Sequence, residues 1–118
     1  MFLANKCVLV VEDDYLISGL LEDMLGDLGC THVVVRPSVE AAVDALTSES
    51  PDVVILDLNL NGRSSLPVAE ILRQRKIRFA FASGYDAAAL PPEWRAEVVI
   101  QKPFTQNELK QKILQALA

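Results

Sequence analysis

Cys7-Val8-Leu9-Val10-Val11-Glu12-Asp13-Asp14 is the stretch that decides the fold. Its first five residues are continuously apolar, the pattern of a strand buried on both faces, which belongs in a parallel sheet covered by helices. Its last three residues are carboxylates, set just where such a strand ends. Four more short apolar runs follow: Val33-Val34-Val35, Val53-Val54-Ile55-Leu56, Phe79-Ala80-Phe81-Ala82 and Val98-Val99-Ile100. Amphipathic stretches separate them. Leu16, Ile17, Leu20, Leu21, Met24, Leu25 and Leu28 recur at spacings of three and four, which predicts one apolar stripe on a helix of about four turns. Asp14 is its expected N-cap and Gly29 its expected stop. Ser38 opens a second helix, with Val39, Ala42, Val43 and Leu46 inward. Pro67 starts a third, marked by Val68, Ala69, Ile71 and Leu72. A fourth, from Asp86 to Leu90, is expected to be short, because Pro91-Pro92 stops it at once. Thr105-Gln106-Asn107-Glu108 reads as a capping box for the last, with Leu109, Ile113, Ala116 and Leu117 on one face.

Five strands alternating with five helices predict a doubly wound α/β domain, a five-stranded parallel sheet with helices on both faces. The chain has 118 residues, enough for one domain spanning 1–118 and for burial of roughly two-thirds of the unfolded surface. Hydrophobic residues at 51% and charged residues at 23% exclude a disordered tail. The formal charge of -5, with no basic stripe, argues against a nucleic-acid partner. No run approaches the ~20 apolar residues that span a bilayer, so a cytoplasmic location is expected. Cys7 and Cys30 sit beside apolar runs and are expected to be buried reduced thiols. His32 lies in or before the second strand, away from the strand ends that matter below.

In such sheets chemistry sits beyond the carboxyl ends of the strands. The residues there are Glu12-Asp13-Asp14, Asp57, Ser83 and Gln101-Lys102-Pro103. Each alone has a bland reading: an acidic triplet caps a helix, an Asp ends a strand, a Lys before Pro is a solvated turn. Jointly they bring carboxylates, a hydroxyl and an ammonium to one edge. Crowded carboxylates repel and call for a cation, and hard oxygen donors suit Mg²⁺. An ionised Asp can attack phosphorus, and a metal, an ammonium and a hydroxyl stabilise the phosphoryl group in transfer.

With these residues in view, the whole chain resembles a response-regulator receiver domain. The resemblance is carried by Val10-Val11-Glu12-Asp13-Asp14, Ile55-Leu56-Asp57-Leu58-Asn59-Leu60, Ala82-Ser83-Gly84 and Lys102-Pro103-Phe104. It implies a flavodoxin-like (βα)5 three-layer sandwich with strand order 2-1-3-4-5. It also implies that Asp57 accepts a phosphoryl group from a histidine kinase or a histidine phosphotransfer protein, as one step of a two-component phosphorelay. Asp13, Asp57 and the backbone carbonyl of Asn59 would bind Mg²⁺ (or Mn²⁺), Glu12 would hold the ion through water, and Ser83 and Lys102 would contact the phosphoryl oxygens. Phe81-Ala82-Ser83-Gly84-Tyr85, with Asn59-Leu60-Asn61-Gly62 and Pro67-Val68-Ala69, is similar to the alphaproteobacterial receiver subgroup nicknamed "FAT GUY". Its members commonly work with histidine kinases of the HWE or HisKA2 type.

Three departures from the common receiver pattern stand out. The loop after the third strand runs Asn61-Gly62-Arg63-Ser64-Ser65 instead of carrying Pro. Ser83 stands where Thr is as frequent and keeps the hydroxyl. Val99 occupies the position of the usual switch aromatic, leaving Tyr85 as the nearest aromatic substitute. The expected role is a stand-alone signalling phosphoacceptor, not an enzyme acting on a separate substrate. Its output is a phosphate relay or sink, or a phosphorylation-dependent protein contact. The alternative is a pseudo-receiver that binds partners without phosphorylation. A haloacid-dehalogenase-type phosphatase would need an acid where Asn59 stands. A flavin domain would not place Glu12-Asp13-Asp14 at its phosphate loop.

Overall fold

A computed structural model describes residues 2–85 and 87–118. The elements run β1 (Cys7–Val11), α1 (Tyr15–Asp27), β2 (His32–Arg36), α2 (Val39–Ser48), β3 (Val53–Asp57), β4 (Asn59–Leu60), β5 (Arg63–Ser64), α3 (Leu66–Gln74), β6 (Phe79–Ser83), β7 (Val98–Gln101) and α4 (Gln106–Leu117). The main sheet is parallel in the order β2-β1-β3-β6-β7. Counting only its five strands, that is the order 2-1-3-4-5 of the flavodoxin-like receiver fold.

Alternation along the central strands builds two cores. Leu9 and Val11 of β1 face Ala42, Leu46, Val68 and Leu72 of α2 and α3. Val8 and Val10 face Leu21, Leu25, Leu109 and Ile113 of α1 and α4. Both sides of β1 and β3 are therefore sealed, which is why their sequences are apolar without a break.

The helix ends follow their chemistry. The Asp14 carboxylate accepts the Leu16 and Ile17 amides, and the Ser38 hydroxyl accepts the Ala41 amide. Thr105 and Glu108 form the reciprocal capping box. Gly29, at φ 97°, ends α1 in the left-handed region.

Several expectations need correction. The described residues hold four α-helices, not five. The expected fourth helix is replaced by two single 3-10 turns, Ala87–Ala89 and Pro92–Trp94; its expected first residue, Asp86, lies outside the described residues. The stripe on α1 is narrower than its seven apolar residues suggest: Leu21 and Leu25 are buried, while Leu16 is 86% exposed and Leu20 49%. Seven apolar positions over thirteen residues cover more of the helix than one sheet face can bury. On α2 Val43 is exposed and Ala45 takes the inward place. Cys30 is buried, but Cys7 is only half-buried. The β4–β5 hairpin was not expected; Asn61 at φ 53° and Gly62 at φ 81° form its two-residue turn. Positive φ at both positions is what such a turn requires, and Asn-Gly is the pair that supplies it.

Candidate functional site

Parallel register delivers the expected side chains to one edge. Val11 pairs with Leu56, so Glu12 emerges beside Asp57. Asp57 pairs with Ala82, and Ser83 with Gln101, so Ser83 and Lys102 follow on the same side. The Lys102 amide donates to the Ser83 carbonyl at 2.7 Å, joining the two loops.

Glu12, Asp13 and Asp57 each offer a carboxylate oxygen within 4.8 Å of the others. Glu12, Asp57 and Ser83 are buried. The Lys102 Nζ donates to Glu12 Oε1 at 2.8 Å and to Asp57 Oδ2 at 3.2 Å. Burial alone would lower the Lys102 pKa, but its hydrogen bond to Glu12 and the Asp57 charge outweigh that and hold it above the ordinary lysine value. The lysine is thus a fixed cation at the mouth of the acidic group. Its nearer partner is Glu12, a direct contact that sequence reasoning did not anticipate.

The formal charges explain what else belongs here. Three carboxylates against one ammonium leave two negative charges, the charge a divalent cation would balance. The donors are all hard oxygens, which fits Mg²⁺. Asp13 Oδ2 accepts the Asn61 amide at 3.2 Å, so the hairpin turn aims this carboxylate. Asn59 holds that turn in shape: its Oδ1 accepts the Gly62 amide at 2.8 Å, and its own amide donates to Asp57 Oδ1 at 3.4 Å. Ser65, fully buried, fastens the far end by donating its hydroxyl to the Leu58 carbonyl. The structural work of Asn61, Gly62 and Ser65 is what sequence reasoning missed. The Asn-Gly pair was the available signal.

A cavity of about 420 Å³ opens beside Asp57, with Asn59, Ser83, Tyr85 and Pro91 on its walls. The Ser83 hydroxyl oxygen accepts the Tyr85 amide at 3.0 Å. Tyr85 itself is 71% exposed at the rim, free of the core. Val99 is buried in the core beneath, paired with Phe81 across the sheet. His32 stands at the amino end of β2, at the other end of the sheet.

A family model described as response regulator receiver domain matches residues 8–114. The chain is 32% identical over 118 residues to the sensory transduction protein LytT of Bacillus anthracis, across 90% of this chain and 45% of that protein. It spans about half the length of such curated relatives. Among solved structures it is similar to SdrG from Sphingomonas melonis Fr1, with 37% identity and a TM-score of 0.85 over 96% of this chain and 97% of that one. It is also similar to the response regulator TrrA from Thermotoga maritima, solved in complex with Mg²⁺-BeF. There the identity is 30% and the TM-score 0.82, over 95% of this chain and 99% of that one.

Proposed function

The chain belongs to the response regulator receiver family, and from that premise we infer that Asp57 is its phosphoacceptor. The observation that carries this reading is the meeting of Asp57 with Glu12, Asp13 and Lys102 in one pocket. The donor would be a phosphohistidine on a histidine kinase or phosphotransfer protein. An Asp57 carboxylate oxygen forms the new O–P bond as the N–P bond breaks, and the electron pair leaves with the imidazole nitrogen. Asp13, Asp57 and the Asn59 carbonyl would hold Mg²⁺ (or Mn²⁺), with Glu12 reached through water. When bound, the ion supplies charge neutralisation for the carboxylates and the phosphoryl oxygens.

The chain's own groups do the rest. Lys102, already beside Asp57, neutralises one phosphoryl oxygen. The Ser83 hydroxyl, on the cavity wall, donates to another. Because the Lys102 amide is tied to the Ser83 carbonyl, the two loops move together when a group with about two negative charges arrives. With Val99 in place of a swinging aromatic, the signal passes through these loops to the short turns around Leu90 and Trp94. Leu20 lines a shallow cleft with Ile17, Lys102 and Pro103, and with exposed Tyr15 and Leu16 earlier on α1 it offers apolar surface suited to a partner helix. Similarity to the "FAT GUY" subgroup points to an HWE or HisKA2 kinase, and the product is a relay, a sink or a protein contact in the cytoplasm. The protein is substrate and helper in its own phosphorylation, with no separate substrate to turn over.

The test is incubation with a small-molecule phosphodonor and Mg²⁺. Wild type is expected to gain one phosphoryl group by intact mass, and Asp57→Asn none. Equal labelling of both would remove Asp57 from its role, and an unlabelled wild type would leave a phosphorylation-independent pseudo-receiver. In the same assay Tyr85→Ala is expected to change the lifetime of the label, since Tyr85 flanks the cavity through which water must come.

A further inference from the structure

A second group of metal-ligating side chains lies at the opposite end of the sheet. Cys7 opens β1, and His32, its register partner, opens β2. Glu49 caps the carboxyl end of α2. One ligand atom from each lies within 4.8 Å of the other two. Glu12 lies five residue steps beyond Cys7, about 16 Å along the direction of β1, so this group is independent of the Asp57 pocket.

We propose that Cys7, His32 and Glu49 form a site for a borderline-soft divalent cation, Zn²⁺ in the first place. The donor set is one sulfur, one imidazole nitrogen and one carboxylate oxygen, a combination that selects Zn²⁺ over Mg²⁺. Three protein ligands leave the fourth tetrahedral position to water. The geometry is close to what the ion needs. His32 Nε2 and Glu49 Oε2 are 3.4 Å apart, against about 3.3 Å for the N–O edge of a zinc tetrahedron. The edges to sulfur require about 3.6 Å, and the ligand atoms stand no more than 4.8 Å apart, so each closes by about 1.2 Å at most. Exposed His32 can make that movement by side-chain rotation. The surroundings favour a cation. Asp52, whose Oδ2 accepts the Cys7 amide at 2.8 Å, adds a second carboxylate beside the thiol. The thiolate is the form that ligates, so a metal displaces the Cys7 proton as it binds. Cys30 is a built-in control: its Sγ lies 3.4 Å from the Lys6 and His32 carbonyls and is buried.

The experiment titrates Co²⁺, a spectroscopic stand-in for Zn²⁺, into the reduced protein with Mg²⁺ in excess to occupy the acidic pocket. A sulfur-to-cobalt charge-transfer band with tetrahedral d–d bands is expected, abolished by stoichiometric Zn²⁺. Cys7→Ser should lose the band, and Cys30→Ser should keep it. His32→Gln and Glu49→Gln should each weaken Co²⁺ binding at least about tenfold. Circular dichroism identifies any variant that fails to fold, and His32→Gln, on an exposed side chain, is the decisive one. No band at saturating Co²⁺, a band that survives Cys7→Ser, or binding unaffected by His32→Gln and Glu49→Gln would each overturn the site.

Discussion

Asp13 is the carboxylate of the acidic group that Lys102 does not reach. Lys102 spans Glu12 and Asp57, whereas Asp13 leans on a backbone amide of the hairpin. An Asn at this position keeps an oxygen for the Asn61 amide and removes one negative charge from the cluster. Two like charges at this spacing repel by about 1–4 kcal/mol, depending on how much water screens them. Asp13→Asn is therefore expected to stabilise the metal-free protein by about 1 kcal/mol, near the screened end of that range. That corresponds to about 4 °C in Tm. The same change should shrink the Tm rise that Mg²⁺ produces in wild type. Thermal unfolding in EDTA and in excess Mg²⁺ checks both, and an unchanged response to Mg²⁺ would detach Asp13 from the cation. At this scale the sequence was legible for chemistry: Glu12, Asp13, Asp57, Ser83 and Lys102 could all be named from their places at strand ends. It was silent on pairing. That Lys102 bonds Glu12 more closely than Asp57 depends on side-chain reach across β1, β3 and β7.

Among the elements, the β4–β5 hairpin has the most direct hold on the site. Its turn places Asn61 and Gly62 at positive φ, and the Asn61 amide is the group that orients Asp13. A β-branched residue in this region costs about 1–3 kcal/mol, while Asn enters it readily. Gly62→Val is therefore expected to open the turn and slow labelling of Asp57 by phosphodonor, with a lower unfolding midpoint. Gly62→Asn should remain near wild type in both. Equal rates for the two would mean that the hairpin does not position the carboxylate. The other elements divide by how local their signals are. Caps at Asp14, Ser38 and Thr105 were readable because a cap joins a side chain to an amide two or three residues away. Which apolar residues of α1 turn inward was not. Leu16 and Leu20 satisfy helical periodicity as well as Leu21 does, and only the position of the sheet decides among them.

Across the whole molecule, Trp94 compensates for the missing fourth helix. It is 4% exposed and packs edge-on against Phe81 at 6.0 Å and Phe79 at 6.4 Å. The Arg73 guanidinium covers its outer side 3.8 Å from the ring centroid, and Arg73 is also paired with Glu97 at 2.6 Å. One aromatic thus anchors the segment between β6 and β7 where a helix would otherwise spread the contact. Trp94→Ala is expected to cost about 3–5 kcal/mol, a large share of the stability of a domain this size. Urea unfolding measures it. Below the new midpoint Asp57 should still take up phosphate, because the acidic pocket is built on β1 and β3; loss of labelling in the folded variant would show that the two are coupled.

By itself the sequence determined the layered parallel fold and the set of reactive residues. Both are written in short-range patterns: unbroken apolar runs, helical spacing, and polar residues following strands. Only the tertiary structure decided which carboxylate meets the lysine, that a hairpin aims Asp13, that two tight turns replace a helix, and that Cys7, His32 and Glu49 meet at the far edge. Those outcomes turn on distances between segments separated by tens of residues, and such distances are set by sheet register and packing, which no local pattern encodes.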